Sequence, residues 1–327
     1  MGSMLSLFFG FTPVFLFAYI IYWLDRYEKE PKILLGVVFF WGVIVAAGAA
    51  FLINSLMGAG IYLFTNCEAT TELATGSLIA PVVEEVLKGF AVLVVYLAAR
   101  NEFDSIMDGI VYAAIVALGF AATENTYYIY YYGYQQASYV GLLWLAFVRV
   151  VLVGWQHPFY TAFFGIGLAT TRLSKDKLVR IAAPLGGLSL GILFHAIHNT
   201  IGNVIKGGSG LIVSTIFDWS GWSFMLLFVI WAIYREQLWI IDHLQEEVSL
   251  GSITLAQYRT ACSAWAQSLA RVDALFKRRY QITNHFYQLC AELAYKKQHR
   301  AMHGEEAGNT KLIEQLRIDL SRYSPLV

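Results

Sequence analysis

The chain is short of charge. Only 14% of its 327 residues are Asp, Glu, Lys or Arg, against about 25% in an ordinary soluble domain. It holds three cysteines, Cys67, Cys262 and Cys290, too few and too scattered for a disulfide framework or a cysteine-based zinc site. No A-x-A-like cleavage site follows the first apolar run, so that run reads as a membrane span, not a cleavable signal. These shortages exclude a disordered chain, a coiled coil and a typical cytosolic enzyme. What the sequence has instead is apolar residue: 57% hydrophobic, 16% aromatic, with a mean hydropathy of +0.55. That composition predicts an all-α, polytopic membrane helix bundle.

Net charge is zero, 23 against 23, and no nucleic-acid partner is expected. The distribution is uneven: residues 235–327 hold 12 of the 23 basic and 10 of the 23 acidic residues. The expected domains are therefore a membrane body, 1–235, and a cytoplasmic amphipathic helical tail, 236–327. Spans are predicted near 4–24, 33–57, 77–98, 107–130, 181–204 and 212–234, with 139–171 as a further crossing, broken near Gly154 and Pro158 or begun at the interface near Arg149. Seven or eight crossings result. Lys and Arg concentrate in 25–32, 172–180 and the tail, which by the positive-inside rule puts the N-terminus outside and the tail inside. The Tyr cluster at 127–132 reads as an outer aromatic belt. In the tail, Leu238, Ile241, Leu244 and Val248, then Leu275, Ile282, Phe286, Leu289 and Leu293, recur at helical spacing, the second set on one predicted helix from Arg271 to Gln298. His243, His285, His299 and His303 read as solvated.

An ionisable side chain in a span is expensive and marks a functional candidate. Few occur. Glu84, Glu85 and Lys88 share the third span, Glu124 lies near the end of the fourth, Arg149 and His157 lie in 139–171, and His195, His198 and Asn199 lie in the sixth. Counting residues from the outer ends puts Glu84, Glu85, Glu124, His195 and Asn199 at one depth, and His157 joins them if its helix enters the membrane near Arg149. Glu84 and Lys88, four apart, are expected to pair, leaving Glu85 free. A carboxylate in an apolar pocket suits a general base. His195 suits metal binding or oxyanion stabilisation, and Asn199, one turn on, the oxyanion or the orientation of His195. Two histidines and a carboxylate make a hydrolytic zinc set, with His157, His195 and Glu124 as the predicted ligands. His198, three residues on from His195, is expected outside the site. Arg149 is expected at the interface or beside a carboxylate, and Asp104 and Asp108 at a helix N-terminus. Alternative readings of the same buried carboxylates are a proton-coupled transporter and a non-catalytic membrane scaffold.

Four motifs occur in order on successive helices: EExxK at Glu84–Lys88, FxxxE at Phe120–Glu124, a histidine opening a small-residue helix at His157, and HxxxN at His195–Asn199. In this the chain resembles the PrsW family of intramembrane proteases, within the wider group that includes the CAAX prenyl proteases. The resemblance covers about 1–235 and leaves the tail aside. It implies an intramembrane endopeptidase in a bacterial or archaeal plasma membrane, acting on membrane-anchored protein substrates such as anti-sigma factors. It also implies catalytic roles for Glu84, Glu85, Lys88, Glu124, His195 and Asn199, and zinc or another divalent metal. The prenyl proteases tend to carry EExxxR and FxxxH, so the earlier Lys88 and Glu124 in place of histidine point away from them.

Overall fold

The computed structural model describes residues 1–305 and 308–327. The described residues are helical throughout apart from short connections, as apolar chain in lipid must be, because each backbone N–H and C=O has to find its partner within the segment. The protein is a helical membrane bundle. Two compact units are formed, one from Met1–Trp23 with Glu30–Leu227, the other from Leu24–Lys29 with Phe228–Val327.

In the first unit α1 is Gly2–Leu24 and α2 is Lys32–Thr65. Helix α3 runs over 68–98, as Glu68–Ala74, a π-helical turn Thr75–Ile79, and Ala80–Ala98. The expected loop at 59–76 is thus only a tight turn, with Asn66 in the left-handed region at φ 46°. Helix α4, Ile106–Tyr128, begins on a capping box in which Ser105 and Asp108 exchange hydrogen bonds, consistent with the N-terminal role expected at 104–108.

Helix α4 is the axis of the unit, buried nearly continuously from Met107 to Ala122. Its alanines and glycines make that possible, since small side chains let helices approach closely. At Gly109 a β-carbon would stand 2.2 Å from the Gly165 carbonyl oxygen.

The ambiguous segment 139–171 is resolved as two helical pieces that together run antiparallel to α4. After a π-helical extension, Ile129–Tyr134, the chain turns at Ala137 and Ser138, and α5 returns over 139–152. A break at 153–155 leads into α6, Gln156–Leu173. Contacts of Gly133 with Gly141, Asn125 with Arg149, Glu124 with His157 and Gly109 with Gly165 hold one antiparallel register along the whole length. One return passage in two pieces fits a count of seven. The break sets His157 in the first turn of α6. Helix α7 is Lys177–Val204 and α8 is Gly207–Ser249.

The second unit adds α9 (Leu255–Ala261), α10 (Ala264–Phe276), α11 (Tyr280–His303) and α12 (Asn309–Tyr323). Leu244, Phe286, Leu289 and Leu293 are buried as expected, with Ile313, Leu316 and Leu320 opposite. Three expectations fail. The helix predicted from Arg271 to Gln298 is broken at 277–279, where Arg278 takes φ 56°, and Leu275 and Leu238 are exposed. His299 is buried against Asn309 and His243 meets Gln298 at 2.7 Å, so neither is merely solvated. His285 is exposed with its ring against Tyr323, and the His303 side chain lies outside the described residues.

Candidate active site

Helices α3, α4, α6 and α7 each contribute to one buried polar cluster. Glu84, Glu85 and Lys88 come from α3, one helical turn after its π-helical segment. Glu124 comes from the end of α4, His157 from the start of α6 and His195 from the middle of α7. All but the half-buried Glu124 are buried.

Two carboxylate–histidine pairs form the frame. Glu85 Oε1 meets His195 Nδ1 at 2.9 Å, accepts from Lys88 Nζ at 2.5 Å, and its Oε2 accepts from Thr161 at 2.8 Å. Glu124 Oε2 meets His157 Nε2 at 2.8 Å and is clamped by Arg149, whose Nε donates to Asn125 Oδ1 at 2.7 Å. Each imidazole thus has a carboxylate behind it, which fixes ring orientation and tautomer.

Glu84 is different. It lies 4.0 Å from Lys88 Nζ and 3.8 Å from His195 Nε2, and its Oε2 is buried without a hydrogen-bond partner. This reverses the expected division of labour: Glu85, not Glu84, is the close partner of Lys88, and Glu84 keeps a spare acceptor. The reason lies off the helix: Thr161 and His195 hold Glu85, and Lys88 Nζ lies 3.3 Å from His157 Nδ1. Glu84, His157 and His195 offer ligand atoms that all lie within 4.8 Å of one another. The expected metal set had Glu124 in the place Glu84 takes in this group, and Glu124 meets Arg149 and His157.

Asn199 departs furthest from its expected place. Its Nδ2 donates to the Gly76 carbonyl at 2.8 Å, tying α7 to the π-helical turn of α3. Asn203 reinforces that tie through Ser77 at 3.1 Å. His198 sits outside the cluster and pairs with Asp218 at 3.0 Å. Four residues escaped the motif reading. Thr161 is one. Tyr160 stacks on His195 with 4.8 Å between rings and donates to Asp218 at 3.2 Å. Gln156 has its Nε2 3.4 Å from His157 Nε2. The signal for Gln156 and Asp218 was present, as polar groups within apolar stretches. For Tyr160 and Thr161 nothing marked them out in a chain with 20 tyrosines.

The chain matches the family described as PrsW family intramembrane metalloprotease over residues 30–233. The chain belongs to the PrsW family. It is 26% identical over 226 residues to Protease PrsW of Bacillus subtilis, covering 68% of this chain and 88% of that one. It is 34% identical over 153 residues to Protease PrsW of Geobacillus kaustophilus, covering 47% and 60%. A third relative, Protease PrsW of Oceanobacillus iheyensis, is 29% identical over 228 residues, covering 69% and 92%. No solved structure matches. The protein is an intramembrane protease, which sets aside the transporter and scaffold readings, and the PrsW match spans all six clustered residues.

The family is described as metalloproteases, and the donor set fits a metal: one carboxylate and two imidazoles, buried, mutually close, with a carboxylate oxygen that no protein group satisfies. Those are the ligand types of hydrolytic zinc sites.

Proposed function

We propose that this protease cleaves membrane-anchored proteins with Glu84 as the group that takes the proton from the attacking water. The observation behind this reading is the buried, unpartnered Oε2 of Glu84 facing His195 Nε2. A buried acceptor left unsatisfied costs about 1–3 kcal/mol, and a site tolerates such a cost where the atom has work to do.

Zinc or another divalent ion would be held by His157 and His195 beside Glu84, where it would lower the pKa of a bound water and polarise the scissile carbonyl. The chain's own residues supply the rest. Glu85 accepts from His195 Nδ1, leaving Nε2 turned to the centre. Lys88 offsets the charge of Glu85, and Thr161 fixes its second oxygen. Glu124, held by Arg149, does the same for His157. Glu84 accepts the water proton as hydroxide adds to the peptide carbonyl carbon, then delivers that proton to the leaving amide nitrogen as the C–N bond breaks. Asn199 is committed to Gly76, which leaves it a tie between helices rather than an oxyanion donor. Catalytic roles extend to Glu84, Glu85, Lys88, Glu124 and His195, with Asn199 holding α7 against α3.

The substrate class that fits a site buried between membrane helices is a single-span protein whose cleavage site enters between them, and the family resemblance implies an anti-sigma-factor-like regulator. The basic linkers favour a plasma membrane with the tail in the cytoplasm, and the relatives compared are bacterial. The test compares protein termini in membranes of cells carrying the natural chain or Glu84→Gln at equal abundance. New termini in single-span proteins made only by the natural chain are expected, and equal cleavage by Glu84→Gln sinks the role assigned to Glu84. Metal content of the purified chain should be near one divalent ion, lost on His157→Ala or His195→Ala; full occupancy in both variants removes these ligands.

A further inference from the structure

Helix α10 in the tail is turned the wrong way for a helix of a water-soluble bundle. Such a helix buries its apolar stripe and exposes its polar face. In α10 the residues facing the tail's interior are Gln267 and Ala274, and Gln267 donates to the Ala261 carbonyl at 2.8 Å. Trp265, Leu269, Val272 and Phe276 are 73%, 53%, 53% and 83% exposed. At about 100° per residue these four fall within an arc of roughly 60°, opposite the buried pair. A contiguous large apolar stripe on a surface marks an interaction site.

The charges beside the stripe say what covers it. Its C-terminal end runs directly into Lys277, Arg278 and Arg279, all exposed. The one acidic group on this helix, Asp273, is paired with Lys277 at 2.7 Å. Tryptophan, aliphatic and aromatic side chains on one face with cations at the end is the make-up of a helix that lies in a lipid interface. The tethering agrees. The tail follows the apolar helix α8 directly, and Arg26, two residues after the end of α1, donates to the Ala264 carbonyl at 3.2 Å and to Ser268 Oγ at 2.6 Å. Two chain segments leaving membrane-spanning helices therefore enter the unit that carries α10.

We propose that α10 docks on the surface of the bilayer, with Trp265, Leu269, Val272 and Phe276 in the headgroup–acyl boundary and Lys277, Arg278 and Arg279 on anionic lipid phosphates. The tail thereby rests on the membrane as a second, reversible contact beside the spans, and its position responds to the anionic lipid content.

The test places a diazirine-bearing leucine analogue at Leu269 in the full chain, reconstituted in nanodiscs of phosphatidylglycerol with phosphatidylcholine or of phosphatidylcholine alone. The same analogue at exposed Glu314 is the control. After illumination, lipid adducts are expected at 269 and not at 314. Their yield should fall about five-fold for each cation neutralised in K277Q/R278Q/R279Q, and likewise in phosphatidylcholine alone. W265S/F276S should lose the adducts while melting like the natural chain, because the stripe supports nothing inside the tail. Adducts to a second copy of the chain, adducts to residues 1–227, or equal yields at 269 and 314 would each overturn the proposal.

Discussion

Each unit of this protein buries an acidic residue among cations, and the two settle it differently. In the tail, Glu247 is fully buried and both oxygens are used: Oε1 accepts from Lys297 at 2.5 Å and from Arg317 at 2.9 Å, and Oε2 from Arg317 at 3.1 Å. In the membrane unit, Glu85 is saturated in the same manner by Lys88, Thr161 and His195, but its neighbour Glu84 keeps a bare oxygen. A saturated buried carboxylate holds helices together. One left with a spare acceptor, beside two oriented imidazoles, can bind an ion or take a proton. On the role proposed for Glu84, the contrast separates structural burial of charge from catalytic burial within one chain.

The sharpest break in that contrast is Glu84→Gln. The amide is isosteric and Lys88 keeps its closer partner Glu85, so the fold should survive. Cleavage of a single-span substrate should drop by about 10²–10⁴-fold, the usual contribution of a general base. Measured on purified chain in detergent, a normal rate would place Glu84 with the structural carboxylates.

Lys88→Met attacks the saturated side of the same site. Lys88 is completely buried, and its loss leaves Glu85 with Thr161 and His195 but without the ammonium. Removing one partner of a buried pair costs about 3–5 kcal/mol. A melting point several degrees lower, together with lost cleavage, is expected. Loss of cleavage with unchanged melting would make Lys88 a purely catalytic group.

Much of this site was legible because lipid makes charge conspicuous. Glu84, Glu85, Lys88, Glu124, His157 and His195 stood out as charges or imidazoles in apolar runs, and residue counting from the span ends put most of them at one level. The partition among them was not legible. Spacing on α3 alone favours Glu84 with Lys88 at i, i+4, and only contacts arriving from α6 and α7, Thr161 and His195 on Glu85 and His157 on Lys88, set Lys88 with Glu85 at i, i+3. Asn199 looked like a site residue because it shares a helix face with His195. Its fate depends on the π-helical turn at Thr75–Ile79, which periodicity does not reveal. In the tail, the same reading put Leu238 and Leu275 inside, because apolar spacing shows that a helix has a stripe but not which surface receives it.

The tail offers the counterpart experiment. Glu247→Gln should leave cleavage unchanged and weaken the packing of α8 with α11 and α12. The cost should be about 2 kcal/mol, below that of a fully buried pair, because Arg317 is partly exposed and Glu246 remains 2.7 Å from Lys297. Hydrogen exchange of the amides in Tyr280–His303 reports it as faster local opening. An effect on cleavage as large as that of Glu84→Gln would show that the two kinds of burial are not separable.

The smallest effect comes from Lys29, in the linker that belongs to the tail unit. Burial, against the opposing pull of Asp25, lowers its pKa from 10.5 to about 8. Between those values the unfolded chain binds a proton that the folded one has released, so stability rises with pH across that window. The slope is at most about 1.4 kcal/mol per pH unit, and below pH 8 the full penalty of a buried ammonium applies. Its neighbour Tyr27, raised to about 12 chiefly by burial, acts later and in the other direction. Its folded form keeps a proton that the unfolded form loses, so stability falls as pH climbs from 10 to 12. Opening of the tail unit should therefore be slowest near pH 10. Lys29→Met should flatten the rise between 8 and 10 and leave the fall above 10, whereas Tyr27→Phe should do the reverse. A rise that persists in Lys29→Met would assign it to another group.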